Sequence, residues 1–180
     1  MKVHEFYDWG NLIKPDQRFE MCKDISNLIA QGKYWDNSPP YQTNVNIFGE
    51  SGEHWTNLKM SFIWSCFAYM KQERQIKSVK SWGYRTNIKT QENRDTYWHQ
   101  HNREGSTTIS GVYYLHLPIA EENDLETSGT ELAPNGISSD TYYAPWRKGN
   151  WMIFPGKTWH RPGILACDED RFIVAADMEF

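Results

Sequence analysis

Apolar residues recur every three or four positions in two stretches near the start of the chain, then in short alternating or continuous runs further on. Over 15–31, Phe19, Cys22, Ile25, Leu28 and Ile29 make one stripe, which predicts an amphipathic helix. Pro15 suits its first turn and Gly32 its stop. Over 53–74, Trp55, Leu58, Phe62, Cys66 and Tyr69 predict a second helix packed on the body of the domain. Residues 33–51 between them are rich in Asn, Ser, Pro and Gly and read as loop. From about residue 78 the period changes. Val79, Trp82 and Tyr84, then Tyr97, Trp98 and His99, then 109–117 are short β-leaning stretches divided by polar turns. Residues 120–128 read as a solvated acidic loop and 133–139 as a turn. Residues 151–154 and 172–176 are apolar enough to be buried strands. Helices first and many short strands afterwards predict an all-β core, a sandwich or jelly roll, with a helix layer against it.

At 180 residues the chain fits one domain, with 1–77 as a helical bracing region and 78–180 as the β core. A chain of this length buries about 70% of its unfolded surface and needs no staples. Nine Trp, ten Tyr and eight Phe strengthen the β-rich reading and point to an aromatic-walled cavity. A net charge of −4 with no basic run gives no reason to expect a nucleic-acid partner. Cys22, Cys66 and Cys167 are odd in number, widely spaced and without a CxxC pair, which suits a reducing compartment such as the cytoplasm. No apolar run reaches the length of a membrane span, so no membrane partner is expected.

The chemistry concentrates at His99, His101 and His160. Residues two apart on a strand point to one face, so His99 and His101 can act together if their segment is extended. A His-x-His pair alone also fits exposed or structural histidines. The third imidazole, His160, follows a strand-like run bounded by glycine and proline, and three such rings suit one metal ion. Glu104 is close enough in sequence to swing in. His116 reads as a hydrogen-bonded structural histidine, and His4 and His54 have no partners in sequence. Arg171 opens the last strand. It fits either a surface ion pair with the preceding acids or an inward guanidinium able to grip a carboxylate in bidentate fashion.

Taken together, His99-x-His101, Ser110-Gly111-Val112-Tyr113-Tyr114-Leu115, the run from Gly149 to Pro155, His160 and Arg171 resemble the iron(II)/2-oxoglutarate-dependent oxygenases. The likeness is to their small bacterial and phage branch and covers about 80–178. The resemblance implies a double-stranded β-helix (jelly roll) braced by two or more helices. It implies Fe(II) held by His99, His101 and His160, with His101 where an acid is usual. It implies 2-oxoglutarate held by Arg171 with help from Tyr114 or Tyr84. The activity would be hydroxylation of a peptide side chain or small molecule, with succinate and CO2 as co-products. There are departures: an alignment shifted by two would put Arg103 at the acid's place and leave Glu104 as the substitute, and Ile173 stands where many members carry Ser. A second, looser resemblance is to cupins, metalloenzymes on a similar barrel that do not use 2-oxoglutarate. A non-enzymatic jelly-roll binding module is the third reading. Substrate-facing residues are expected from the loops at 33–51, 85–96 and 133–148.

Overall fold

The structure, a computed structural model, describes residues 3–34, 41–91, 97–101, 107–119 and 129–180. The acidic segment 120–128, Arg103 and Glu104 lie outside the described residues. Strand β1 (Glu5–Asp8) precedes helices α1 (Pro15–Ala30) and α2 (Glu53–Met70), with a 3-10 turn at Ile47–Gly49. Then come β2 (Ser78–Thr86), the one-turn α3 (Ile88–Gln91), β3 (Thr108–His116), β4 (Thr130–Ala133), β5 (Tyr142–Ala144), β6 (Asn150–Pro155), β7 (Trp159–Pro162) and β8 (Arg171–Glu179). A five-stranded sheet has the order β1-β6-β3-β8-β2 and a three-stranded sheet the order β5-β4-β7. Their strand pairings are antiparallel. The β-rich core with N-terminal helices is as the residue pattern predicts. Both sheets are open, so what the described residues establish is a sandwich, not a closed barrel.

The large sheet separates two apolar layers because its strands alternate. On one side Ile109, Tyr113 and Leu115 of β3, Trp151 and Ile153 of β6, and Val174, Ala176 and Met178 of β8 pack against both helices. On the other side Val112, Tyr114, Met152 and Phe154 meet Leu132 and Ala144 of the small sheet. Helix α1 begins with Pro15 at its first turn and ends before Gly32, whose φ is +75°. There Lys33 N–H donates to Leu28 O at 3.0 Å, a left-handed stop that glycine makes without a Cβ penalty. Its buried stripe is Met21, Ile25, Leu28 and Ile29. Phe19, predicted for that stripe, is 61% exposed, with the Lys23 ammonium 4.5 Å over its ring. At 3.6 residues per turn, a position two before Met21 falls on the opposite flank.

Helix α2 buries all five predicted apolar residues, and also Ser61 and Ser65. Their hydroxyls accept the indole N–H of Trp151 at 2.9 Å and of Trp9 at 2.7 Å. A buried indole needs such an acceptor, so these two polar positions belong to the core. The helices also land on glycines. A Cβ on Gly111 would lie 2.8 Å from both Phe62 Cε2 and Ile153 Cδ1, and one on Gly83 2.6 Å from Ile25 Cγ1. Gly111→Ala is therefore expected to destabilise the protein by about 1–3 kcal/mol through overpacking. Urea unfolding measures this, and an unchanged midpoint would mean that the helix layer yields freely.

Candidate metal centre

His99 and His160 face each other across a single antiparallel bridge. His99 N–H donates to His160 O at 3.1 Å and His160 N–H to His99 O at 2.9 Å. Residues so paired carry their side chains on the same face. The segment predicted as strand around Tyr97 to His99 is thus reduced to one bridge, laid along β7. Two residues on, His101 N–H donates to Gly156 O at 2.7 Å, and Gly156 N–H donates to Thr108 O at 2.8 Å. A Cβ at Gly156 would stand 2.8 Å from Thr108 Cβ, so the close seating of this turn requires glycine. On the outer face of the small sheet, the Arg161 guanidinium lies 4.7 Å from the Trp98 ring centre, and its Nε donates to Glu131 at 2.5 Å. Trp98 thereby points away from the imidazoles, as alternation predicts, and Trp151 packs on the helix side.

The ligand-capable atoms of His99, His101 and His160 all lie within 4.8 Å of one another. Two nitrogens sharing an ion at about 2.1 Å stand roughly 3 Å apart, so small side-chain rotations close the set. Each ring uses Nδ1 elsewhere. His99 Nδ1 meets Tyr97 O at 3.1 Å, His160 Nδ1 meets Thr158 O at 2.9 Å, and His101 Nδ1 meets Asp177 Oδ2 at 2.5 Å. Carbonyl and carboxylate oxygens only accept, so Nδ1 carries the proton and Nε2 keeps its lone pair for a ligand. Burial pushes the His160 ring well below its ordinary value, and the neighbouring His99 pushes the same way. Burial lowers His99 too, against the Tyr97 carbonyl, which raises it. Both rings are therefore held neutral, the form that binds metal. The set matches the donor chemistry of an iron or zinc site.

Arg171 is 2% exposed. Its Nη1 donates to Gly163 O at 3.1 Å and its Nε to Thr86 Oγ1 at 3.3 Å. Along β8 it shares a face with Ile173, Ala175 and Asp177, the face turned to the small sheet. The inward orientation is thus what the structure has, and the ion pairs of the preceding acids go to Arg85 and Lys89 instead. Tyr114 lies in the same space, its hydroxyl 2.9 Å from Thr130 Oγ1. Burial pushes its phenol up to about 12, against the Thr130 hydrogen bond and the charge of Arg171. Tyr84, paired with Ile173 on β2, is raised by burial and by Asp177, and stacks on Tyr41. His4 and His54 sit apart, against Tyr142 and Asp24, and His116 lies against Phe172. The three cysteines are free thiols, and no helix among the described residues is long and apolar enough to cross a membrane.

No family model matches the chain, and no curated protein matches it either. Solved structures do. SnoN, a non-heme alpha-ketoglutarate-dependent epimerase from nogalamycin biosynthesis, is 13% identical with TM-score 0.68, over 98% of this chain and 77% of that one. A prolyl hydroxylase from Trichoplax adhaerens, bound to a hypoxia-inducible-factor peptide fragment, is 12% identical with TM-score 0.64, over 99% and 83%. A Pseudomonas putida prolyl-4-hydroxylase is 8% identical with TM-score 0.60, over 98% and 91%. The chain has the fold of the 2-oxoglutarate-dependent oxygenases. In SnoN that fold has been seen with Fe3+ and alpha-ketoglutarate bound. At such identities the likeness is one of fold, and residue roles rest on the geometry above.

Sequence reasoning missed Asp177 and Ser110. Counting by twos from Arg171 along a buried strand would have found the acid on the arginine's face. Beside His101 and Asp177 a pocket of about 390 Å³ opens, walled by Trp82, Lys80, Thr108 and Glu179. The metal-free centre also carries a pH signature. The unfolded chain protonates these histidines near their ordinary 6.5, whereas the folded chain resists. Below that pH the unfolded state binds more protons, so stability rises with pH through the window and falls on acidification. The urea midpoint of metal-free protein should drop between pH 7.5 and 5.5, and His160→Gln should lessen the drop. Equal midpoints at both pH values would contradict rings held neutral by the fold.

Proposed function

We propose that this chain is an Fe(II)/2-oxoglutarate-dependent oxygenase, a single domain whose two sheets are the halves of a double-stranded β-helix. His99, His101 and His160 hold the iron, and Arg171 holds the far carboxylate of 2-oxoglutarate. The observation that carries this reading is the convergence of three imidazoles, each with Nδ1 engaged, between the sheets that also bury Arg171. The fit extends to the co-substrate. Tyr114 remains a phenol and can donate a hydrogen bond beside the guanidinium. Trp146 Nε1 is buried among the residues packed on Tyr114, with no hydrogen-bond partner among the described residues. An anion lodged there would give the Trp146 N–H its acceptor.

When bound, iron with 2-oxoglutarate supplies the oxidising chemistry, with succinate and CO2 as co-products. The chain's own part is positional. The His99–His160 bridge and the Gly156 turn hold the three imidazoles together, the residues that would hold the iron when it is bound. Val112, Met152, Phe154 and Leu165 keep the inter-sheet space apolar. The pocket beside His101 offers the room from which a C–H bond is aimed at the centre. Its Trp82 wall suits a ring or aliphatic side chain, and its Lys80 and Glu179 suit polar ends. Hydroxylation of a peptide side chain or small molecule is the reaction this arrangement best serves.

The test is anaerobic titration with Fe(II), then with 2-oxoglutarate, following the weak visible charge-transfer band of the chelate. Wild type is expected to take about one iron per chain and to develop the band. His99→Ala with His160→Ala should abolish iron uptake. Arg171→Met should keep the iron and weaken 2-oxoglutarate binding at least about tenfold. Iron uptake with indifference to 2-oxoglutarate would move the chain to the cupin-type reading. Absence of uptake would return it to a binding module.

A further inference from the structure

Among the described residues, the three-histidine centre has no carboxylate ligand such as a common redox iron site carries. Three neutral imidazoles leave a bound dication with its whole charge in a partly buried space. Yet an anion stands directly behind one ligand. Asp177 Oδ2 is 2.5 Å from His101 Nδ1, and Asp177 Oδ1 accepts from Ser110 Oγ at 2.7 Å. Ser110 is its register partner on β3, and both side chains point between the sheets. Both carboxylate oxygens are engaged, so the group has one orientation. The side chains of His101 and Asp177 are only 23% and 16% exposed, which limits screening by water.

We infer that Asp177 is the positioning residue that supplies the centre's negative charge, acting through the His101 ring. This rests on the metal reading proposed above. An imidazole that donates Nδ1–H to a carboxylate is a stronger donor at Nε2 and is fixed in tautomer and ring angle. Here a carboxylate stands one ring outward from the place of the metal. The position costs the site no coordination place and sets the His101 ring against the edge of Trp82, at 6.0 Å between centres. A carboxylate so placed stabilises the more highly charged iron, lowering the Fe(III)/Fe(II) potential relative to three imidazoles alone.

The experiment compares anaerobic Fe(II) binding, without 2-oxoglutarate, in wild type, Asp177→Asn and the double variant His101→Asp/Asp177→Asn. Asparagine keeps the size and the acceptor but removes the charge. Expected are a loss of Fe(II) affinity of about 10- to 100-fold in D177N and an upward shift of the iron potential. A purely structural role would move unfolding and leave that potential alone. The double variant returns one carboxylate to the centre and should bind Fe(II) at least about tenfold more tightly than D177N. Wild-type affinity and potential in D177N would overturn the inference while leaving the metal centre standing. Wild type that takes no iron would overturn both. If D177N is recovered unfolded, Asp177→Ser, which removes the charge but keeps a short hydrogen-bonding side chain, decides: weaker Fe(II) binding by a folded variant supports the inference, and wild-type binding overturns it.

Discussion

One pair of backbone hydrogen bonds, between His99 and His160, determines where two imidazoles from distant parts of the chain point. Directly opposed residues in an antiparallel bridge have no choice of face. A one-residue slip of the 97–101 segment would turn His99 outward and Trp98 inward. Several contacts hold that register. Arg161 covers Trp98 from outside and is tied to Glu131, whose carboxyl burial would raise but hydrogen bonds from Thr141 and Arg161 hold low. The Gly156 turn fixes His101 two residues further on. These supports are rigid strand and turn elements, which suits a site whose ligands must stay within small tolerances.

The second constraint is electrostatic. The buried His160 and its neighbour His99 are biased toward the neutral ring, a weak base that a proton does not hold against a metal near neutrality. The carbonyls of Tyr97 and Thr158 choose the tautomer for His99 and His160, and Asp177 chooses it for His101. The buried Arg171 stands on the same strand face as Asp177, with small or apolar Ile173 and Ala175 between them. A cation at one end of a sheltered strand face and an anion at the other give the inter-sheet space a polarity that an anionic co-substrate can use.

Much of this was legible from residue order. The two helices follow from apolar spacing at 3.6, and β2, β3, β6 and β8 from aromatic and β-branched runs. His99, His101 and His160 stood out because alternation and a strand end already placed them. β1, β4, β5 and β7 were not legible. Each is three or four residues long, too short for period-2 alternation to separate from loop. They exist because sheet partners complete their ladders. Phe19 was misplaced because the buried stripe begins at Met21, and two residues back along a helix is the opposite flank. Alternation from Arg171 places Asp177 on the arginine's face, but its role was not legible: that depends on the cross-strand register with Ser110, and register is a tertiary fact. Ser61 and Ser65 were likewise unreadable until the indoles they serve were in place.

The claim on which all else depends is that three Nε2 lone pairs converge on one point. Long-range proton–nitrogen NMR of the imidazoles tests it most directly, first in metal-free protein and then with one equivalent of Zn(II). The account predicts Nδ1-protonated rings at His99, His101 and His160, with all three Nε2 signals shifting together on metal addition. A ring among the three that is protonated at Nε2, or that ignores the metal, would contradict it.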